Sequence, residues 1–376
     1  MSIATTRPEL ACEIVPEGVI AARRQPDSGL LASAGFAAFG PGAPSANFAP
    51  YIDKDAPRVG LPGLQAGDPK QRDIVVQAMR RALESVGGRN GVVTLVIPDT
   101  AVRILLMDFD SLPSKKSDAI PLLRFRLKKL VAFDVEDAAI GYQVVPWATG
   151  VRLLVAVTPS PVLAEYETIV REAGFEPGIV LTSSLACLGM LADDAPALVV
   201  YASTQSVTTA ITRGQELLLH RTQELPWQPE QLAETGVAGF IPAHVEPGAE
   251  GDADAAEVLI PAATAEAPAT LQFETEGQTA GELALRGSEV SASADPIETE
   301  LQHALTVAAA FFEDAVGSPA RPVLVSGAMD ALTWRSLLGH DDFPLRDLVS
   351  SEDMGTATDS GLSRAQLGAV CGALRS

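Results

Sequence analysis

Between Gly91 and Gly174 the chain runs strand, strand, helix twice over, and that order constrains the fold more than any other stretch. GVVTLVIP and VRILLMDF read as apolar strands, KKSDAIPLLRFRLKKLV as a helix, AIGYQVVP and VRLLVAVT as two more strands, and PVLAEYETIVREAG as a second helix. In that last helix Ser160 is the expected N-cap, Pro161 the first helical residue, and Gly174 the residue just past the end. A β-β-α-β-β-α order of this kind predicts a small mixed α/β unit in its own right.

The flanking sequence extends the α/β pattern. Leu10 to Val15 and Val19 to Arg23 flank the turn residues Pro16, Glu17 and Gly18 and read as a hairpin. Residues 25–70 are rich in Gly, Pro, Ala and Asp, with one strand-like run, LLASAGFAAF. DIVVQAMRRALESV carries Val76, Met79, Leu83 and Val86 on one stripe, with Asp73 placed as N-cap or first-turn acid and Gly87-Gly88 as the stop. After the central block, GIVLTS is a strand and SLACLGML a helix; ALVVYAS, VTTAITRG and ELLLHRTQ then read as consecutive antiparallel strands. From Pro226 to Pro296 the composition turns to Ala, Gly, Pro and acid, with Arg286 the sole Lys or Arg, and a flexible insertion is expected. The helix IETELQHALTVAAAFFED, the strand RPVLVSGA, a helix near ALTWRSLLG and a C-terminal helix SRAQLGAVCGALR capped by Ser363 complete the chain. No repeat of fixed period is visible.

Composition excludes several classes of function. The chain has 376 residues, 47% hydrophobic and 20% charged, which describes a globular protein with room for two domains. A formal net charge of −21 repels phosphate backbones, so nucleic acid is not an expected partner, and it opposes whole-surface attraction to anionic lipid. Cys12, Cys187 and Cys371 are scattered, without a C-x-x-C pair, and fit reduced, buried thiols in a cytosolic compartment. The N-terminus lacks a secretory h-region, and the best apolar runs, such as ALTVAAAFF, fall well short of the ~18 residues that span a bilayer. Any membrane location is therefore expected to be through a partner.

A search for catalytic signatures finds no P-loop, H-E-x-x-H, G-x-S-x-G or kinase set. The histidines (His220, His244, His303, His340) are dispersed and read as surface or lightly buried, not as metal ligands. Gly40-Pro41-Gly42 reads as a turn, with no helix behind it. The most unusual charge feature is the cationic helix carrying Lys115, Lys116, Arg124, Arg126, Lys128 and Lys129. Its expected buried stripe is Leu123, Leu127, Leu130 and Val131, with the cations outward as a solvated face or as a dock for an acidic partner or a nearby membrane.

LLRFRLKKLVAFDVEDAAIGYQVV resembles the stretch of the PilM family of type IV pilus assembly in which a charged helix precedes a turn, an acidic pair and a D-Y-Q-V strand. Here these are Ala132-Phe133-Asp134, Glu136-Asp137 and Gly141-Tyr142-Gln143-Val144. VRLLVAVTPSPVLAEYETIVREAGFEPGIVLTSSLACLGML is similar to the family's next strand, helix, "E-A-G-x-x-P" link and helix, and VTLVIPDTAVRILLMDFDSLP to its paired strands. The resemblance covers roughly residues 90–225, and the cytoplasmic domain of GspL, from type II secretion, shares the fold. It implies an α/β, actin-like ATPase (ribonuclease H-like) two-domain fold with the small β-β-α-β-β-α subdomain inserted in the first domain. The implied division is 8–192 for the first domain, including the subdomain at about 90–175, 195–360 for the second with its insertion at about 226–296, and 361–376 for a helix returning to the first.

The resemblance also implies an ATP cleft and a groove for the N-terminal peptide of the bitopic membrane protein PilN, with links onward to a pilus motor ATPase. The nucleotide loops carried over residue by residue are degraded. Where the family's first loop resembles D-I-G-S-S-S, this chain has Glu13-Ile14-Val15-Pro16-Glu17-Gly18: Pro16 offers no N–H and Glu17 repels phosphate. The second loop reads Tyr201-Ala202-Ser203-Thr204, without its acid, and the third element keeps Gly327 but follows it with Ala328. The expected reading is a non-enzymatic cytoplasmic adaptor at the inner face of the membrane with no bound cofactor. The alternatives are Mg-ATP binding with Glu13 standing in for the lost aspartate, an actin-like ATPase, or a GspL-like secretion component. Phe125, Arg126, Phe133 and Tyr142 are the residues proposed to meet the partner peptide.

Overall fold

The computed structural model describes residues 7–26, 28–39, 69–145, 147, 150–191, 195–214, 216–225, 296–338, 343–358 and 360–375. The acidic run read as an insertion, except its last proline, lies outside them, as do Gly40-Pro41-Gly42, His244 and His340.

The first sheet is built from β1 (Leu10–Val15), β2 (Gly18–Arg24) and β3 (Leu31–Ala38), then from β4 (Val92–Ile97) beyond α1 (Pro69–Ser85). Its strand order is β3-β2-β1-β4-β8, where β8 is Glu176–Thr182. β1 is antiparallel to β2 and parallel to β4, so it is the central strand, and every one of its residues is buried. Strand alternation sends Leu10, Cys12 and Ile14 to the face covered by α1 and α3 (Ser160–Glu172). Ala11, Glu13 and Val15 point the other way, toward α4 (Ser183–Leu188) and α7 (Gly368–Leu374). The predicted stripe of α1 is buried throughout, at Val76, Met79, Leu83 and Val86. Asp73 is not its cap, because the helix begins a turn earlier at Pro69. In α3 the cap position falls to Pro159, and Ser160 and Pro161 are already helical.

The second sheet contains β9 (Ala197–Ala202), β10 (Ser206–Arg213), β11 (Glu216–Glu224), β12 (Val323–Gly327) and β13 (Leu345–Asp347), ordered β11-β10-β9-β12-β13. One face is covered by α5 (Pro296–Val316) and α6 (Ala331–Leu338), around the fully buried Trp334. The other meets α4 and α7 through Val199, Tyr201 and Leu324, in a core shared with the first sheet. Both sheets therefore follow one plan: an antiparallel three-strand meander whose first strand is then flanked by a parallel pair. The internal duplication is topological, which explains why no sequence repeat betrays it. Ser363 and Gln366 form a reciprocal cap before α7, with each backbone N–H donating to the other's side-chain oxygen (2.8 and 3.3 Å).

A third sheet, β5-β7-β6, holds β5 (Arg103–Phe109), β6 (Ala138–Val145) and β7 (Val151–Pro159). The central block is thus divided: β4 pairs in the first sheet and α3 packs on the first core, leaving β5, α2 (Lys116–Leu127), β6 and β7 as the small unit. β7 buries one face fully and the other in part. Leu153, Val155 and Val157 pack under α2 with Leu123 and Leu127, while Ala156 turns toward the first core. α2 ends at Leu127, so Leu130 falls off the expected stripe and is exposed. Two of its cations also turn back on the protein. Arg124 donates to the carbonyls of Val135, Glu136 and Ala138. Arg126 donates to the carbonyl of Asp108 (2.6 Å) and lies 4.1 Å over the Phe109 ring.

Candidate functional site

Two regions collect the residues singled out by the sequence. The first is where the β1–β2 and β9–β10 hairpins, equivalent in the two halves, meet tip to tip. The inward alternation of β1 places Glu13, 1% exposed, against Tyr201 of β9, whose hydroxyl donates to Glu13 Oε1 at 2.7 Å. In the adjoining turns Thr204 Oγ1 donates to Glu17 Oε1 at 2.8 Å. The acid expected to repel a phosphate is instead held by the opposite loop. Burial pushes the Glu13 carboxyl up to about 7; hydrogen bonds from Tyr201 and Ser183 oppose that rise, and the nearby Asp99 adds to it. Burial likewise raises Glu17.

Two of the turn amides are occupied as well. Ser203 Oγ accepts the N–H groups of Gln205 and Ser206 at 3.2 and 3.0 Å, the donors a phosphate loop would aim at a ligand. Gly18 and Gly327 serve close packing: a Cβ at Gly18 would lie 2.4 Å from the Ala37 carbonyl oxygen. Gly327 has φ +99°, and a Cβ there would lie 2.1 Å from the carbonyl oxygen of Ala202, the residue whose carbonyl accepts from Ala328 N–H. The space left among Val15, Pro16, Asp99, Tyr201 and Ser203 is about 10 Å³. Pockets that take a nucleotide-sized ligand measure roughly 300–1,000 Å³. Three acids, turn amides committed to Ser203 and little room form a poor fit to magnesium triphosphate.

Beside the clasp, Asp99, Ser184 and His220 form a cluster that the sequence reading missed, since His220 was expected to be unremarkable. Asp99 Oδ1 accepts the N–H of Ser184 at 3.1 Å and its hydroxyl at 2.7 Å, and that hydroxyl lies 2.8 Å from His220 Nε2. With the serine proton committed to Asp99, His220 must donate and so cannot act as base toward Ser184. The aspartate also contacts the serine instead of orienting the imidazole, the reverse of a Ser-His-Asp triad. Burial lowers the His220 pKa, consistent with a neutral ring. His303 is exposed on α5. All three cysteines are free and buried, and burial raises each thiol. No cluster with metal-ligand character is present among the described residues.

The second region is a groove of about 450 Å³ between the third sheet and the first. β6 and β8 are the edge strands of their sheets by strand order, and residues 139–143 and 180–182 of these two strands line it. Leu154 and Ala156 of β7 and Leu163 of α3 contribute an almost wholly apolar wall. Thr182 Oγ1 is buried there with no hydrogen-bond partner. Of the four residues proposed for partner contact, Tyr142 lines this groove. Phe125 is 68% exposed on α2, Phe133 is half-buried against the core of the small unit, and Arg126 is tied to Asp108 and Phe109, so the other three do not join it.

No family model matches the sequence, and none of the curated proteins matches it. Among solved structures, a chain of the PilM-PilN type IV pilus biogenesis complex is similar over 98% of this chain and 98% of its own, at 15% identity and a TM-score of 0.62. The cytoplasmic domain of EpsL, an inner-membrane component of the type II secretion system of Vibrio cholerae, matches 64% of this chain and 78% of its own, at 11% identity and a TM-score of 0.37. A Bacteroides thetaiotaomicron protein of actin-like ATPase fold matches 63% and 79%, at 8% identity and a TM-score of 0.31. The first likeness spans the whole length, and with it the duplicated sheets identify a two-domain, actin-like α/β fold.

Proposed function

We propose that this chain is a scaffold of a type IV pilus inner-membrane platform that grips an extended segment of a PilN-like membrane protein. The observation that carries the reading is the groove: an apolar trough of about 450 Å³ between two strand edges, with an unpartnered hydroxyl at Thr182. An exposed strand edge offers a row of N–H and C=O groups to an incoming strand, and alternate apolar side chains of that strand find the trough. The partner contact is short-range, so the net charge of −21 does not oppose it.

The nucleotide cleft is read as structural, because its two loops bond to each other where a phosphate would sit. Among the described residues no helix is long and apolar enough to cross a membrane, which agrees with attachment through a partner. A link to a motor ATPase belongs to the same reading.

Gly141 of β6 supplies the test. It lines the groove, and a Cβ built on it meets nothing within 4 Å. Gly141→Phe fills the trough without touching a core. A fluorescently labelled N-terminal peptide of the PilN-like protein is expected to bind the parent in polarisation assays and to lose at least about tenfold in affinity with Gly141→Phe, roughly one hot-spot side chain. Equal binding to both proteins excludes this groove as the site.

A further inference from the structure

The end of the second sheet opposite the clasp holds a second concavity, of about 550 Å³. β9 and β12 run parallel, their C-terminal ends at Ala202 and Gly327 reach the clasp, and their N-terminal ends open here. Ligands in parallel α/β sheets gather at the carboxyl ends of the strands, so this is the end such a fold normally leaves unused. The volume falls in the range of small-molecule sites, roughly 300–1,000 Å³.

Its charge is the reverse of the chain's. Arg321, Arg346, Arg364 and Arg375 line it, against the carboxylates of Asp347 and Asp353. Both carboxylates are already engaged. Asp347 accepts the Ala331 N–H at the start of α6 through Oδ1 (2.8 Å) and pairs with Arg364 through Oδ2 (3.0 Å). Asp353 accepts the Ser350 N–H and hydroxyl through Oδ2 (2.7 and 2.6 Å) and pairs with Arg375 through Oδ1. Arg321 and Arg346 are exposed, and among the described residues neither side chain has a hydrogen bond or ion pair. Among the described residues, two guanidinium groups of the lining are thus unpaired in a protein of net charge −21. Leu324 and Leu348 add an apolar wall.

We propose that this pocket binds a small organic phosphate, with Arg321 and Arg346 on the phosphates and the apolar wall against the body of the ligand. Guanidinium forks match phosphate oxygens bidentately, which a lysine pair does not. Size follows from the field around the pocket. Screening over ~8 Å at physiological ionic strength leaves a small anion inside it to the four arginines and two carboxylates of the lining, a positive balance, whereas a nucleic acid or an acidic protein also meets the surrounding negative surface.

The test uses the full chain, with thermal unfolding read against inorganic pyrophosphate, ADP and hexaglutamate at constant ionic strength. Pyrophosphate and ADP are expected to raise the midpoint. An Arg321→Ala/Arg346→Ala protein, within about 2 °C of the parent in chloride because both residues are exposed and unbonded, is expected to bind each at least about tenfold more weakly. Should the double variant fold poorly, Arg346→Gln alone must weaken pyrophosphate by about fivefold or more. An equal response in parent and variants, no response beyond chloride, or tighter binding of hexaglutamate than of either phosphate overturns the proposal.

Discussion

Replacing Glu13 with glutamine isolates the buried carboxyl at the centre of the clasp. The amide keeps an oxygen to accept from the Tyr201 hydroxyl, bonded at 2.7 Å in the parent, and removes only the charge. Burial holds the Glu13 carboxyl at about 7 in the folded state, against an ordinary 4.5. A folded pKa raised above the unfolded one gives stability that is complete below 4.5 and is lost as pH rises through 7. At about 1.4 kcal/mol per tenfold, the loss approaches ~3 kcal/mol by pH 8. The parent therefore weakens between pH 5 and pH 8 from this group, and Glu13→Gln does not. Burial lowers His220 and raises Glu17, but both are common to the two proteins and cancel in the difference. Any fixed cost of seating the amide cancels between the two pH values as well. Urea unfolding followed by tryptophan fluorescence at pH 5 and pH 8 should show the variant gaining about 2–3 kcal/mol on the parent over that interval. A difference that does not move with pH refutes the buried, uncompensated carboxyl.

Thr204→Val removes the hydroxyl that donates to Glu17, whose Oε2 already lacks a partner. A loss of about 1–3 kcal/mol is expected by urea unfolding, larger at pH 8 than at pH 5 because the ionised carboxylate is the form left without a donor. Gly327→Ala places a methyl 2.1 Å from a backbone oxygen at φ +99°, and should cost at least about 3 kcal/mol or yield no soluble protein. Gly29→Ala, at φ +68° with nothing within 4 Å, should cost only about 1–2 kcal/mol in the same assay.

Local chemistry was readable where it acts over a few residues. The hairpin around Pro16, the stripe of α1 and the cap at Ser363 follow from spacing and turn residues, and the structure has all three. Pairing is less readable. GVVTLVIP looks like a partner of the strand that follows it, yet β4 joins β1 and β8, because an apolar run declares that it is a strand without declaring beside which one. Side-chain reach misled the reading of the basic helix: Arg124 and Arg126 are long enough to turn back onto carbonyls, so a charge count overstates the cation left for a partner. The clasp joins residues 187 and 188 apart in sequence, a distance at which composition carries no signal. Pro16 and Tyr201 marked those loops as altered, but only the fold shows that the alterations meet. Tyr142 lines the groove, whereas the apolar wall around it comes from six other elements that no local pattern ties together.

The central claim, a peptide-gripping scaffold with a structural cleft, is tested most directly by calorimetric titration of the purified chain with the N-terminal peptide of its PilN-like partner, with and without Mg-ATP. The account predicts binding with the same affinity and enthalpy in both conditions, since the loops are bonded to each other and leave about 10 Å³ between them. Binding that appears only with Mg-ATP contradicts the structural cleft, and no binding in either condition contradicts the scaffold.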